Sequence, residues 1–486
     1  MTGGRWTSGE RLTRQDAPIS FRIPHAALPT AIGVFLIGGL GPNIELAFIA
    51  VLVLLVASAL LWRPGEPPIL LFTFAYPWIQ ASISIFHSNW LGIRVTDYAP
   101  LSGDMQTAIL LSLFGILILA IGMRLGAGAW YSQDARNARA LALSQAIEKW
   151  FWLYAVSAAV SFAALAFAWT VPALSQPMLA LAGLKWAFFF MFAYASFVRG
   201  ARARLLFAIA FLGELALGVG GYFSDFKSVF FITIFAGFAS GVRFTMRSLI
   251  MMSVLGALLL GFGIVWTAVK GQYRSYISGG EATQIVTVDY LTRMEKLSEL
   301  VLGLDAQTLD ESTEKLFRRV TYVEYFASVL NYVPSRVPHE NGAILWDAVS
   351  RPFMPRMFFP DKAAIDDTAR TNLYTGGLAG NSEGTSISLG YVAECYIDFG
   401  KFGMMIALLI IGLFYGALFR WFLRWKASPS LLGMAVATAV ILPVGPLENS
   451  FTKVFGTLVI ALLVAAALVT LIIPRWAPWL LVAQRR

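Results

Sequence analysis

The chain has 486 residues, of which 58% are hydrophobic and only 13% charged. A soluble domain needs roughly a quarter of its residues charged to cover its surface, so this composition excludes an ordinary water-soluble enzyme. The net charge of +9 is spread over short loops rather than gathered in one basic patch, which argues against nucleic acid as a partner.

Apolar runs of about twenty residues, the length that crosses a ~30 Å hydrocarbon core, recur along the chain. They predict an all-α polytopic membrane protein of about twelve transmembrane helices. The spans are expected near 28–41, 44–62, 68–86, 106–126, 150–169, 177–198, 205–221, 227–241, 248–269, 402–420, 430–446 and 454–473. Residues 1–27 read as a polar tail without a cleavable signal, so the first span is expected to act as an uncleaved anchor. That span ends in Gly38-Gly39-Leu40-Gly41-Pro42, which suits a tilted or re-entrant segment as well as a full crossing. Pro77 and Pro177 are expected to bend or begin helices. The first nine spans, within 28–270, carry no internal repeat.

Basic residues mark one side of this array, at Arg63, Arg124, Arg199, Arg243, Arg420 and Arg475 among others, whereas the opposite short loops hold Arg94, Lys227 and Lys453. This positive-inside asymmetry predicts that both termini are cytoplasmic and that residues 271–401 form a large extracytoplasmic segment before the last three spans, within 402–473. Residues 474–486 form the second cytoplasmic tail. Acidic lipid headgroups are expected as secondary partners of the basic side.

Within the spans, Lys185 and Glu214 need a reason to be there, because each charge in hydrocarbon costs roughly 2.5–3.5 kcal/mol on insertion scales. One reading is a structural ion pair joining spans six and seven; the other is a cavity lined for a polar ligand. Lys227 follows a glycine- and aromatic-rich run and reads either as a phosphate-binding cation or as a snorkelling anchor.

Residues 271–401 read differently. Thr283 to Leu304 and Glu311 to Val333 have the amphipathic helical period. Pro334, Pro338, Pro352, Pro355 and Pro360 predict turns and short helices over 334–362. Arg370 to Glu383 reads as a flexible loop, and a helix is expected from Thr385 to about Gly400. The apolar and aromatic content suits a mainly helical cap resting on the bilayer. Arg351, Arg356, Lys362 and Arg370 fall in its second half. Their planar forks and charges suit a diphosphate, unless Asp361, Asp366 and Asp367 pair with them at the surface. Glu394 and Asp398 are four residues apart and so share a helix face, where one carboxylate can serve as a general base. His339 is the segment's one histidine and reads as a solvated loop residue or a second candidate base. Cys395 is the sole cysteine, so no intrachain disulfide forms and the redox compartment stays open. Walker loops, Cys/His metal spacing and nucleophile elbows are absent from the sequence, as is the Asp-x-Asp pair of nucleotide-sugar transferases.

The run Pro334 to Lys362, with Pro338-His339-Glu340-Asn341-Gly342 and Pro355-Arg356-Met357-Phe358-Phe359-Pro360-Asp361-Lys362, resembles the large periplasmic loop of bacterial O-antigen and exopolysaccharide repeat-unit polymerases. The later run Glu394-Cys395-Tyr396-Ile397-Asp398-Phe399-Gly400 is similar to that family's Glu-x-Tyr-x-Asn/Asp-Phe-Gly signature. Together the motifs cover about seventy residues. An arginine and glycine separated by ten residues, found in some members, has its nearest match in Arg370 and Gly380, one residue short.

The resemblance implies a polyprenol-dependent membrane glycosyltransferase in the bacterial inner membrane, working without cofactor or metal. Its substrates would be undecaprenyl-diphosphate-linked oligosaccharides, and its protein partners a flippase and a chain-length regulator. It implies that Arg356, Lys362, Arg351, Arg370 and Lys227 contact the diphosphate, with Arg274 a further phosphate ligand. Tyr396 and Asp398 would stand at the substrate, and Glu394 or His339 would be the base. An O-antigen ligase is the nearest rival, and a lipid-linked-oligosaccharide transporter or an export scaffold the more distant ones. A transporter predicts inverted repeats with broken helices at mid-membrane rather than a cap of this size.

Overall fold

The computed structural model describes residues 27–99, 103–129, 132–170, 174–219, 226–241, 246–279, 288–354, 359, 365–380, 386–425 and 430–481. Among them the chain is helical throughout, with no strand. In order come α1 (Ala27–Val34, prolonged by a π turn to Gly39), α2 (Ile44–Leu61), α3 (Ile69–Trp90), the short α4 (Val95–Tyr98), α5 (Met105–Ala127), α6 (Ser132–Ser144) and α7 (Ile147–Thr170). Then follow α8 (Ser175–Gly183), α9 (Lys185–Phe197), α10 (Ala201–Val219), α11 (Phe226–Ala239) and α12 (Met246–Ile277). The cap carries α13 (Tyr290–Leu302), α14 (Ala306–Val320), α15 (Val323–Tyr332), α16 (Ala343–Ser350, with a 3-10 turn Arg351–Phe353) and α17 (Asp367–Thr375). Last come α18 (Tyr391–Arg424), α19 (Ser430–Ile441) and α20 (Phe451–Ala467), whose helical path continues to Trp476.

Eight of these stretches are long and apolar enough to cross a membrane: Ile44–Leu61, Ile69–Trp90, Met105–Ala127, Ile147–Ala168, Ser175–Phe197, Ser253–Ile277, Tyr391–Arg424 and Phe451–Trp476. Ala27–Gly39, Lys227–Ala239 and Ser430–Val444 are shorter apolar helices. The outer surface shows why water is the wrong solvent for the bundle. Ile37, Trp152, Phe162, Leu205, Phe402 and Leu463 are all more than 60% exposed, a density of bare apolar side chains that needs lipid to cover it.

The first helix falls short because Ala27–Gly39 rises only about 20 Å at 1.5 Å per residue. Its glycine turn docks on the end of α3. There the Asn89 side chain donates to the carbonyls of Gly38 and Gly39 (3.1 and 3.2 Å) and accepts from Asn43 N (2.8 Å). Pro77 sits inside α3, which runs on to Trp90, and Pro177 lies in the first turn of α8.

The tightest packing joins α5 to α18. Gly122 and Gly126 on α5 face Gly412 and Gly416 on α18. A Cβ on Gly122 would overlap the carbonyl oxygen of Leu409, and one on Gly412 would overlap that of Leu119. Two small-x-x-x-small faces thus press backbone on backbone, the contact that drives helix pairing where lipid offers no hydrophobic effect. Aromatic side chains fill the space beside them. In α9, Phe189, Phe190, Phe192 and Tyr194 are buried, and Tyr154 of α7 stacks on Phe192.

The intramembrane charges are paired. Lys185 of α9 meets Glu214 of α10 at 2.8 Å, and Tyr154 donates to the other oxygen of Glu214 at 2.8 Å. The geometry fits the structural reading of this pair, because both carboxylate oxygens are occupied.

Several expectations for the cap are corrected. The stretch 311–333 is two helices, α14 and α15, broken at Thr321-Tyr322 rather than one. Arg370 lies on α17, not in a loop, because Asp366 caps that helix through Ala369 N (2.9 Å) and Gly376 (φ 71°) ends it. Residues 386–390 are not helical. Helix α18 begins at Tyr391, not Thr385, where Gly390 (φ 82°) packs its α-carbon against the Leu447 carbonyl. Its first segment ends, as expected, at Gly400 (φ 66°, ψ −173°), where the backbone leaves helical geometry and a second helical segment follows across a kink.

Replacing Gly122 or Gly412 by leucine is expected to destabilise the fold, with overpacking of about 1–3 kcal/mol as the floor, since backbone atoms cannot yield as side chains do. Thermal melting of detergent-solubilised protein checks this. Gly213→Leu, whose site in α10 has no neighbour within 4 Å, should melt like the parent, and equal melting of all three variants would remove the packing argument.

Candidate functional site

Four elements of the cap face meet around the first turns of α18. Glu394 and Asp398 project from one face of that helix, and both are buried. Each carboxylate meets the N-terminus of a neighbouring helix, where unsatisfied N–H groups and the helix dipole favour negative charge. Glu394 Oε2 accepts from Phe451 N at the start of α20 (2.6 Å). The two oxygens of Asp398 accept from Ile344 N (3.1 Å) and Leu345 N (2.8 Å) in the first turn of α16.

From Glu394 a chain of alternating charges leads to the surface. Arg370 of α17 places Nη1 3.4 Å from Glu394 Oε1 and Nη2 3.5 Å from Asp347 Oδ2. Arg351 Nε then meets both oxygens of Asp347 (3.0 and 2.9 Å). The Glu394 side chain is fully buried, Asp347 is the most exposed member at 38%, and Arg370 and Arg351, at 22% and 17%, flank it. The outer end can therefore exchange partners with solvent or ligand, and the inner end holds the arginine in place. An anion with two or more oxygens can take over the position that Asp347 occupies between the two guanidinium groups.

A second buried pair lies beside it. Asp367, also on α17, has a fully buried side chain that meets Lys453 of α20 at 2.7 Å, while Ser386 bonds both (3.3 and 3.1 Å). Asp367 Oδ1 has no hydrogen-bond partner among the described residues. The turn before α20 is gripped from α3, since Leu447 N donates to Gln80 Oε1 (2.7 Å) and Gln80 also bonds Glu448.

His339 is half-buried. Its Nδ1 donates to the Ile397 carbonyl (3.1 Å), which directs the lone pair of the neutral ring to Nε2. The ring stands edge-on to Tyr396. Tyr396 itself donates to the Val333 carbonyl (2.9 Å) and is buried. Next to His339, Glu340 accepts from the Tyr374 hydroxyl (2.8 Å); burial, and then the Glu340 carboxylate, push that phenol well above its ordinary range.

The structure thus joins Glu394, Arg370 and Arg351 through Asp347, with Asp398 on the same face of α18, whereas Tyr396, two residues from Glu394, points to the other side of that helix with the His339 ring against it. Lys227 and Arg274 stand on α11 and α12, which do not carry the network. Arg356 and Lys362 lie outside the described residues, as does Asp361. Sequence reasoning missed Asp347, Lys453 and Gln80. The i, i+4 spacing of Asp347 and Arg351 is a signal that could have found the first. For the arginines, Asp347 is the partner the geometry gives, while Asp366 caps α17 and Asp367 pairs with Lys453.

No curated protein and no solved structure matches the chain. Residues 134–443, which include most of the helical bundle and the whole cap network apart from the start of α20, match a family described as Domain of unknown function (DUF8712). The chain belongs to that DUF8712 family.

Proposed function

We propose that this protein joins undecaprenyl-diphosphate-linked oligosaccharide repeat units into a surface polysaccharide, at the periplasmic face of the bacterial inner membrane. In this reading all twelve predicted segments cross or enter the bilayer, both termini are cytoplasmic, and the cap is periplasmic. The observation that carries it is the charge chain Glu394–Arg370–Asp347–Arg351. It offers two arginines, held from beneath and exchangeable at the outer end, where the likeness to the polymerase motifs requires a diphosphate.

The chemistry assigns each group a task. A non-reducing-end hydroxyl of the single repeat attacks the anomeric carbon of the growing chain. The new C–O bond forms as the bond to the diphosphate breaks, and the electron pair leaves on undecaprenyl diphosphate. Arg370 and Arg351 stabilise that charge by displacing onto the phosphate the contacts now made to Asp347. Arg356 and Lys362 join them in this proposal on the strength of the motif alone. His339 Nε2 takes the hydroxyl proton. Glu394, with no exposed surface and Phe451 N already bound, positions Arg370 instead of meeting the substrate.

A deletion strain is expected to accumulate single repeats on undecaprenyl diphosphate when its lipid-linked glycans are extracted and sized. Full-length glycan stranded on the carrier would point to a ligase, and unchanged pools would end the polymerase reading.

Charge reversal of Arg370 or Arg351 is expected to lower polymer formation about 10²–10³-fold, the scale of losing one donor to developing negative charge. Membrane levels of the Arg351 variant should stay normal, because its partner Asp347 is itself exposed; reversal at Arg370 leaves buried Glu394 unanswered, so its polymer yield is compared per folded protein. His339→Gln should cost about 10²–10⁴-fold in polymer formation. Wild-type polymer length and yield in all three would refute the assignment.

A further inference from the structure

At the far end of α18, roughly 45 Å along the helix from Glu394 at 1.5 Å per residue, the ends of four helices enclose a second polar cavity. It lies between the C-termini of α2, α5 and α18, the 62–68 turn and the first turns of α6, and its polar lining is Arg63, Glu66, Arg124, Asp134, Arg420 and Arg424. Four arginines against two carboxylates leave the lining net positive.

Helix C-termini attract basic residues through their dipoles, which accounts for Arg124 and Arg424 in the last turns of α5 and α18 and for Arg63 just beyond α2. The dipole does not account for the open space between them, nor for the burial of Arg124. That side chain is 4% exposed and gives one nitrogen to the Gly128 carbonyl. Its Nε is buried and has no hydrogen-bond partner among the described residues. A buried guanidinium without its full set of acceptors is costly, and an oxyanion in the cavity that Arg124 lines would offset its charge. The outer arginines are placed to complete such a site. Arg424 donates to Ala129 O (3.1 Å), and Arg420, exposed, lies over Gly128, whose positive φ (68°) and missing Cβ leave room for it.

The helices around the cavity are membrane-spanning candidates that end here, so the site lies at the depth of phospholipid phosphates. We propose that this pocket binds the phosphodiester headgroup of an anionic phospholipid. Basic pockets between transmembrane helices take such headgroups by charge and by fork-like hydrogen bonding. The site is independent of the polymerase reading, since none of its residues belongs to the cap.

Glu66 makes the binding pH-dependent. Burial, opposed by Arg63, Arg124 and Arg424 and reinforced by Asp134, pushes its carboxyl up to about 7. Below that pH it becomes neutral and the lining gains positive charge, while a lipid phosphodiester keeps its single negative charge. Retention of the lipid should therefore tighten as pH falls from 8 to 6.

Full-length protein in nanodiscs of phosphatidylcholine with a minor share of phosphatidylglycerol tests this, with lipid retention read by native mass spectrometry. Wild type is expected to retain phosphatidylglycerol selectively. The R420Q/R424Q variant, altered only at exposed positions, should lose at least about tenfold of that retention, given roughly fivefold per surface arginine. Glu66→Gln should retain more than wild type at pH 8 and show no pH dependence. Equal retention by wild type and R420Q/R424Q, or weaker retention by Glu66→Gln, would overturn the site. In phosphatidylcholine alone, millimolar inorganic phosphate should not raise the melting temperature. A rise that R420Q/R424Q abolishes would assign the pocket to soluble phosphate and overturn the lipid source.

Discussion

The structure depends on the contact between α5 and α18, where glycine faces let two backbones touch. In hydrocarbon nothing squeezes helices together as water does, so close approach and the dispersion it brings must hold them. Gly122, Gly126, Gly412 and Gly416 supply that approach. Helix α18 is then a fixed post. Its first turns anchor the cap through Glu394 and Asp398, each capping a different neighbouring helix, and its last turn closes the arginine-lined cavity. The cap contacts lie on the segment before the Gly400 kink and the arginine-lined cavity at the end of the segment after it, so α18 links both sites through that one kink.

Burying Glu394 completely is expensive unless its charge is answered. The answer is divided between a backbone N–H at the start of α20 and the guanidinium of Arg370, neither of which is an ordinary surface partner. Because the carboxylate serves both, the position of Arg370 and the start of α20 are fixed together. Gly390 and the Gln80 contacts add the remaining constraint, holding the 445–450 turn against the base of α18. The network is rigid where it meets the bundle and looser where Asp347 reaches solvent.

The sequence made the helical, membrane-embedded character legible because a soluble fold has no use for so many uninterrupted apolar runs of bilayer length. The predicted spans lie on helices, span 177–198 on two of them, α8 and α9, and among the described residues eight stretches meet the length and hydropathy for a crossing. Glycine misled the reading at Gly376, where it ended a helix that composition had hidden, whereas the break expected near Gly400 is where the backbone of α18 leaves helical geometry. The Glu394/Asp398 pair was visible as a shared face, but not that both oxygens of Asp398 would be taken by α16. Spacing along one helix says nothing of which other helix N-terminus comes to rest there. Lys453 and Gln80 escaped because their partners lie far off in sequence or on an element not recognised as a helix, whereas Asp347 stood in plain reach of Arg351 four residues on.

Helix α12 remains as a contrast to α18. It has 32 residues, about 48 Å at 1.5 Å per residue, and only 6% of its most apolar window is buried. Lipid, not protein, surrounds most of its length. Its last turns are different: Val269, Tyr273 and Ile277 pack with Leu297 of α13 in a small cluster apart from the main core. A rod longer than the hydrocarbon is thick must tilt or emerge, and this one emerges into the cap. Because α13 and α14 rest on its emerging end, the direction in which α12 leaves the apolar region sets where those two cap helices sit.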